Sequence, residues 1–221
     1  MSQQGLPRLG ILISGRGSNM QAFIDACANS NLPAQISVVI SNKPDAPGLQ
    51  LAKDAGITTC CVDHRNFDSR EAFDQALVDQ LHAHNVDLII LAGFMRILTP
   101  VFIVPFLGRL LNIHPSLLPK YPGLHTHQRA LDAGDSEAGV TVHFVTQELD
   151  GGPPILQARL PILTGDTAAT LAHRVMLKEH VIYPLAARWF IEERLRLMAS
   201  GATMDGEPIP TSGIQYSSDL G

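Results

Sequence analysis

The chain has 221 residues, 45% of them hydrophobic, which is enough to bury a large core in one or two domains. The formal net charge of −5 comes without a basic stripe, and this disfavours a polynucleotide partner. The apolar run Leu9–Ile13 is too short for a secretion signal or a membrane span. Three cysteines, Cys27, Cys60 and Cys61, give neither a disulfide framework nor zinc spacing. We therefore predict a cytoplasmic protein with no nucleic-acid and no membrane partner.

Short apolar runs alternate with amphipathic segments through the first half of the chain. The runs predict strands, and the segments with apolar residues three and four apart predict helices. In chain order, we expect strands at residues 9–14, 36–41, 58–62 and 86–91, and helices at residues 19–28, 48–55 and 69–84. This alternation predicts an α/β fold with a mostly parallel twisted sheet and helices on both faces.

The second half of the chain predicts a different arrangement. A strand at 110–114 continues the sheet, and β-branched runs at 140–145 and 155–160 predict a late antiparallel pair. A long helix is expected from about Thr167 to Arg196, with Pro184 as a candidate break. The stretch after it is rich in Gly, Pro and Ser and has no apolar period. We predict a single domain over residues 8–200 and a peripheral tail over residues 201–221.

A glycine turn, Ser14-Gly15-Arg16-Gly17-Ser18-Asn19, separates the first strand from the first helix. Backbone N–H groups and the positive helix end favour an anion there, so the turn predicts a phosphate site. It lacks the lysine and spacing of a P-loop, and Met20 stands where the dinucleotide fingerprint has its third glycine. Neither a nucleoside triphosphate nor NAD is supported. The alternative is a tight turn with Ser18 or Asn19 as helix N-cap.

Asn112, His114 and Asp150 are the candidate catalytic residues. Asn112 and His114 are two apart on a predicted strand, so they point to one face, and Pro115 puts them at the rim of the sheet. A carboxylate at Asp150 would orient the His114 ring and stabilise its imidazolium form. Amide and imidazolium together can stabilise an oxyanion, as acyl transfer requires. The alternative is structural: a turn amide, a half-buried histidine and a cap on the Gly151-Gly152 bend.

Other chemistries have less support. His125 and His127 with His114 and Asp150 could supply metal ligands, but no His-Glu-x-x-His helix or cysteine pair accompanies them. Ser116 lies in a proline-bounded loop, and the chain has no Gly-x-Ser-x-Gly elbow. Without a protein nucleophile, the trio would assist direct transfer between two bound substrates.

Four ordered motifs resemble those of the phosphoribosylglycinamide formyltransferase family. They are ISGRGSN at 13–19, LAGFMRIL at 91–98, LNIHPSLLP at 111–119, and HFV at 143–145 followed by DGGP at 150–153. The resemblance covers nearly all of residues 8–195 and implies a formyltransferase-type fold. It implies that 10-formyltetrahydrofolate is the co-substrate, that the acceptor is the primary amine of glycinamide ribonucleotide in purine synthesis, and that no metal is needed. We expect a monomer or weak homodimer.

The resemblance also implies roles for individual residues. The acceptor site would lie in the N-terminal half and the folate site in the C-terminal half of the domain. Acceptor-binding residues would be Gly17, Ser18, Asn19 and Glu179, the last otherwise an ordinary exposed helix charge. Folate-binding residues would be Arg70, Met95, Arg96, Ile97, Leu98, Asn112, Thr146, Gln147, Glu148, Leu149 and Asp150. Asn112 and protonated His114 would act on the oxyanion, and Asp150 would hold His114.

Two other functions remain open at this stage. The first is formylation of methionyl-tRNA with the same donor, which would normally need a second, basic RNA-binding domain. Only about 20 acidic or neutral residues follow the long predicted helix, so the sequence offers no such domain. The second is a non-catalytic folate or nucleotide sensor, against which the presence of the complete trio argues.

Overall fold

A computed structural model describes residues 5–218, and the last residues of the predicted tail, 219–221, lie outside the described residues. Contacts divide the chain into two compact units, with the boundary between Leu111 and Asn112. We describe each unit by itself.

The first unit is an open parallel sheet with helical connections. Its strands β1 to β4 lie in the order β4-β1-β2-β3, and β1 pairs in parallel with β2 and β4, as β2 does with β3. The strands span Arg8–Ile13, Gln35–Ser41, Thr59–Cys61 and Leu88–Leu91. The helices α1 to α4 span Ser18–Ala28, Pro47–Asp54, Arg70–Ala83 and Pro100–Ile103, with 3-10 turns at His64–Asn66 and Val104–Phe106.

Burial explains the continuous apolar runs of the first unit. Leu9, Ile11 and Ile13 are completely buried, and so are their neighbours of opposite orientation in the same strand, such as Leu12. A strand covered on both faces has no polar face, so it reads as an unbroken hydrophobic run. The predicted parallel sheet is therefore confirmed in this unit, with strand ends displaced by up to two residues.

The second unit pairs a hairpin with a long helix. Strand β5, Leu110–His114, begins just before the unit boundary. It is followed across the sheet by β6, by β7 and then by the short strand β11, Ile214–Gln215. Strands β6, Glu137–Phe144, and β7, Pro154–Pro161, are antiparallel, which confirms the predicted late pair. Helix α5 spans Thr126–Asp132 and helix α6 spans Ala168–Ile191.

Helix α6 ends earlier than predicted and is not broken by its proline. Pro184 lies inside the helix and is buried, whereas the sequence made it a candidate break. The helix stops at Ile191 because Glu193 adopts a φ of 61°, the left-handed conformation that terminates helices. The prediction that the helix extends to Arg196 is therefore wrong. Leu195 already begins the next strand.

The described residues after 200 form short strands in the stretch where the sequence predicts a peripheral tail. Strands β8, β9 and β10 form a small antiparallel sheet, and strand β11 pairs in parallel with β7. They span Leu195–Met198, Gly201–Met204, Glu207–Pro208 and Ile214–Gln215. These strands are only two to four residues long, too short to show a period in the sequence. Asp205 and Gly206, with φ of 53° and 89°, form the turn between β9 and β10, and such a dipeptide is a hairpin signal.

Among the helices of residues 5–218, none combines the length and the apolar character needed to cross a membrane.

Candidate active site

Strand β5 brings an amide and an imidazole to its carboxyl end. Asn112 is half-buried and His114 is 6% exposed, and the strand ends at His114. The following proline cannot donate to a ladder, so the chain leaves the sheet at this point. The polar pair therefore lies at the end of a strand rather than in its middle.

Asp150 lies in the loop between β6 and β7, near the His114 ring. Its Oδ2 atom is 3.4 Å from Nδ1 of His114 and accepts a hydrogen bond of 2.9 Å from the Gly123 amide. The side chains of His114 and Asp150 are 7% and 9% exposed. Charges this well shielded from water interact more strongly than a pair on the surface. The structure thus brings together the predicted imidazole and carboxylate.

His114 has both ring nitrogens engaged within the protein. Its Nε2 atom is 2.8 Å from the carbonyl oxygen of Tyr121, and because a carbonyl can only accept, Nε2 carries a proton. Its Nδ1 atom faces Asp150. An imidazolium ring would satisfy both partners. To donate directly to a substrate oxygen, the ring must give up one of them.

His143, which the sequence argument left out as an individual residue, fixes the amide of Asn112. Its Nδ1 atom donates to the Phe144 carbonyl oxygen at 2.8 Å, so its Nε2 atom is left without a proton. The Nδ2 group of Asn112, 3.1 Å away, therefore donates to Nε2. Burial lowers the pKa of His143 to about 4, which keeps this ring neutral near pH 7. Both faces of β6 are buried from Ala138 to Phe144, so the alternating sequence pattern carried no signal for the burial of His143.

The loop 146–150 combines exposed side chains with a closely packed end. Gln147, Glu148 and Leu149 are exposed, while Thr146 is half-buried. A Cβ atom at Gly152 would lie 1.9 Å from the carbonyl oxygen of Phe144, so only glycine fits there. The glycine pair therefore closes the loop against β6 and leaves its other residues accessible.

In the first unit, the glycine turn ends at Gly17, and helix α1 begins at the next residue. This residue is the N-cap with a φ of 78°, and no side chain caps the helix. The alternative that Ser18 or Asn19 is the N-cap is therefore wrong. Ser18 is exposed and Asn19 is buried. The amides of a helix start without a capping side chain are a suitable site for a phosphate.

Helix α3 contacts the backbone of the segment Met95–Leu98. Met95 and Ile97 are 66% and 60% exposed, unusually high for large apolar side chains, whereas Leu98 is buried. Arg70 donates to the carbonyl oxygen of Ile97 at 2.6 Å. Arg96 is half-buried. The structure therefore brings Arg70 to the backbone of this segment, whose apolar side chains remain open.

A second contact from α3 ends the same segment. Asp74 is 1% exposed and accepts a 2.5 Å hydrogen bond from the amide of Thr99. Burial raises the pKa of Asp74, and the hydrogen bonds from Thr99 oppose that rise. The amide of Met95, at the other end of the segment, donates to the hydroxyl of Ser14 in the glycine turn at 2.8 Å.

Three further candidates from the sequence are Glu179, Ser116 and the histidines considered as metal ligands. Glu179 is half-buried on α6, not the ordinary exposed charge of the alternative interpretation. Ser116 donates to the carbonyl oxygen of Lys120 at 2.6 Å, in keeping with a structural role. Within residues 5–218, no three His, Cys, Asp or Glu side chains are grouped so that they could hold a metal ion. His125 and His127 therefore do not form part of such a group.

The sequence matches the family model described as Formyl transferase over residues 7–187. The chain is 52% identical over 209 residues to phosphoribosylglycinamide formyltransferase of Escherichia coli K12, covering 95% of this chain and 98% of that one. It is 50% identical to the Haemophilus influenzae protein of the same name, with 94% and 98% coverage. The solved structure of the Coxiella burnetii phosphoribosylglycinamide formyltransferase in complex with CHES superposes with a TM-score of 0.92 at 46% identity, over 96% of this chain and all of that one.

Proposed function

The chain belongs to the formyl transferase family, among its phosphoribosylglycinamide formyltransferases, and on that premise we propose that Asn112, His114 and Asp150 carry out its chemistry. The enzyme transfers a formyl group from 10-formyltetrahydrofolate to glycinamide ribonucleotide in de novo purine biosynthesis. Formylation of methionyl-tRNA and a non-catalytic sensor are therefore set aside. The catalytic assignment rests mainly on the 3.4 Å approach of His114 to Asp150 at the end of β5, with Asn112 two residues away.

The reaction requires charge stabilisation and one proton relocation. When the neutral amine attacks the formyl carbon, the formyl oxygen becomes an anion and the attacking nitrogen becomes a cation. The carbon–nitrogen bond to folate then breaks, and the leaving folate nitrogen gains a proton while the product nitrogen loses one. No protein nucleophile takes part, so the residues assist a direct transfer between two bound substrates.

Asn112 is the proposed donor to the oxyanion. Its amide has two hydrogens, and one is committed to Nε2 of His143. The other is then held in a fixed direction, and we propose that it meets the developing oxyanion. Fixed donors are effective because they need no reorganisation during the reaction.

His114 and Asp150 are proposed to act as a pair. Asp150 stabilises the imidazolium form of His114 through the 3.4 Å contact and is itself anchored by the Gly123 amide. The imidazolium stabilises the oxyanion by its charge, and when it exchanges one of its protein partners for the substrate it donates a proton to the leaving folate nitrogen. The proton lost by the product nitrogen then returns to the ring, which the buried carboxylate keeps in place.

We propose that the two substrates are bound by separate sets of residues. The uncapped start of α1 favours the acceptor phosphate at Gly17, Ser18 and Asn19, and Glu179 is the proposed contact to the ribose side. The exposed apolar side chains of Met95 and Ile97 in the first unit favour contact with the flat folate ring. The proposed folate-binding residues are Arg70, Met95, Arg96, Ile97, Leu98, Asn112, Thr146, Gln147, Glu148, Leu149 and Asp150.

We also propose that residues 8–200 serve as one formyltransferase domain, in line with a family model that runs over residues 7–187. The chain's cysteines are all free, as expected in a reducing cytoplasm, where we propose that the enzyme acts. We propose a monomer or weak homodimer, which sedimentation at several concentrations would test.

The test of the catalytic assignment is steady-state kinetics of tetrahydrofolate release. Asn112→Ala and Asp150→Asn are expected to lower kcat by about 100- to 1,000-fold, the typical cost of losing one oxyanion donor, with little change in KM for the acceptor. Asp132→Asn is a matched control, because Asp132 is exposed on α5 and bonds only to Gln128 among the contacts of the structure. Wild-type turnover in either site variant would remove that residue from the mechanism.

A further inference from the structure

The loop between β5 and α5 contains an ordered turn that contacts both members of the His114–Asp150 pair. We propose that Tyr121 is a positioning residue for the formyl transfer, acting through its backbone carbonyl on His114 and held in place by Asp135. This inference rests on the proposed catalytic role of His114 and extends it to residues outside the reacting centre.

The backbone of Tyr121 adopts a conformation that a tyrosine rarely takes. Its φ is 56°, in the left-handed region where a side chain is disfavoured. In this conformation its carbonyl oxygen receives the Nε2 proton of His114 at 2.8 Å. A left-handed non-glycine residue persists only when its surroundings hold it, and such residues cluster at functional sites.

The Tyr121 side chain is held by a hydrogen bond to Asp135 and by a guanidinium over its ring, and both of these partners are themselves fixed by further hydrogen bonds. Its hydroxyl donates to Oδ2 of Asp135 at 2.9 Å, and the ammonium group of Lys120 donates to both oxygens of the same carboxylate at 2.9 and 3.0 Å. The guanidinium of Arg129 lies 5.1 Å from the ring centroid and donates to the Pro122 carbonyl at 2.6 Å. The hydrogen bonds from Lys120 and Tyr121 lower the pKa of Asp135, so it remains a charged acceptor near pH 7.

The same turn also reaches the catalytic carboxylate. Two residues after Tyr121, the amide of Gly123 donates to Oδ2 of Asp150, the oxygen that faces His114. The turn thus presents an acceptor to the far side of the His114 ring and a donor to its carboxylate. A shift of the turn would change the direction of the ring and its distance to Asp150 together.

The hydroxyl of Tyr121 is therefore expected to affect turnover without touching either substrate. Tyr121→Phe removes only the bond to Asp135, and we expect kcat to fall about 10-fold, short of the about 100-fold that a 1 Å misplacement can cost. The KM values for both substrates should stay within about twofold. Asp135→Ala should lower kcat at least as much, because it removes the acceptor of Lys120 as well as that of the Tyr121 hydroxyl. The double variant should be no slower than Asp135→Ala alone.

Tyr216→Phe is the matched control. Tyr216 is also half-buried and also has a lysine over its ring, with Nζ of Lys178 at 5.8 Å, as Lys120 lies 5.9 Å from the Tyr121 ring. Tyr216 follows strand β11 and lies outside the loop that contacts His114. Its kcat should match the wild type.

A nuclear magnetic resonance measurement separates positioning from mere stability. The proton on Nε2 of His114 should exchange with water faster in Tyr121→Phe than in the wild type or in Tyr216→Phe. Wild-type kcat and exchange in Tyr121→Phe, with only a lower Tm, would overturn the inference. If His114→Ala itself has wild-type turnover, the proposed function fails instead, so the two failures are distinguishable.

Discussion

Replacing His143 by glutamine should reduce the acid sensitivity of the fold. His143 is 2% exposed and its pKa is about 4, well below the ordinary histidine value of 6.5, because burial disfavours the charged ring. The folded chain therefore binds this proton more weakly than the unfolded chain does. Stability from the neutral ring is fully present above pH 6.5 and is lost as the pH falls toward 4.

The magnitude follows from the two pKa values. A difference between 6.5 and about 4 corresponds to a loss of about 2 kcal/mol by pH 5 and about 3 kcal/mol by pH 4, because each pKa unit is worth about 1.4 kcal/mol. For a chain of this length, about 2 kcal/mol corresponds to about 4–8 °C in Tm. The carboxylates add their own acid dependence, so only a comparison with a variant isolates His143.

The assay is urea unfolding of the wild type and His143→Gln at about pH 7.5 and about pH 5. Glutamine does not titrate, so the fall in unfolding free energy between the two pH values should be smaller in the variant by about 2 kcal/mol. His173→Gln, at an exposed histidine of α6, is the control and should retain the wild-type fall. Equal falls in the wild type and His143→Gln would refute the assignment of a neutral, buried ring that accepts from Asn112.

Two further substitutions test the substrate-binding residues. Gly17→Ala should raise KM for the acceptor and lower the free energy of unfolding by about 1–2 kcal/mol. The reason is that Gly17 has a φ of 78° and that a Cβ atom there would lie 3.3 Å from the backbone of Gly48. Steady-state kinetics checks the first effect and a urea titration the second. Asp74→Ala should raise KM for folate and lower stability by about 1–3 kcal/mol, because it leaves a buried amide at Thr99 without its acceptor. Asp79→Ala is the control on the same helix and should change neither quantity, because Asp79 is exposed and its side chain accepts from Gln75, one turn earlier.

The strand β5 shows what the sequence could predict. Its apolar run is bounded by Pro115, and the predicted and observed limits agree. Strand β4 starts later than predicted because Val86 belongs to the connection after helix α3. It is apolar and packs against Gly10, but its amide donates to the carbonyl of Leu81 in that helix. Hydropathy predicts that a residue is buried, but it does not predict whether the residue belongs to a strand or to the connection before it.

The site was less accessible to sequence reasoning than the fold. The spacing of Asn112 and His114 predicted a shared face, and the turn position of Asp150 before Gly151-Gly152 made it a candidate partner of His114. The family resemblance implied the same role. The bond from Asn112 to His143 depends on which ring nitrogen carries a proton, and that follows from a backbone carbonyl in the folded hairpin. The left-handed turn at Tyr121 likewise has no local signal, because contacts to residues distant in sequence impose it.

The short strand β11 has a consequence for the behaviour of the chain in concentrated solution. It occupies part of the outer edge of β7, with Ile214 opposite Leu156, and the Tyr216 amide extends the contact to the Gln157 carbonyl at 2.7 Å. An uncovered edge offers unpaired amides and carbonyls to any other chain that presents a strand. The segment therefore covers part of an edge at which the hairpin could otherwise pair with a second copy of the chain.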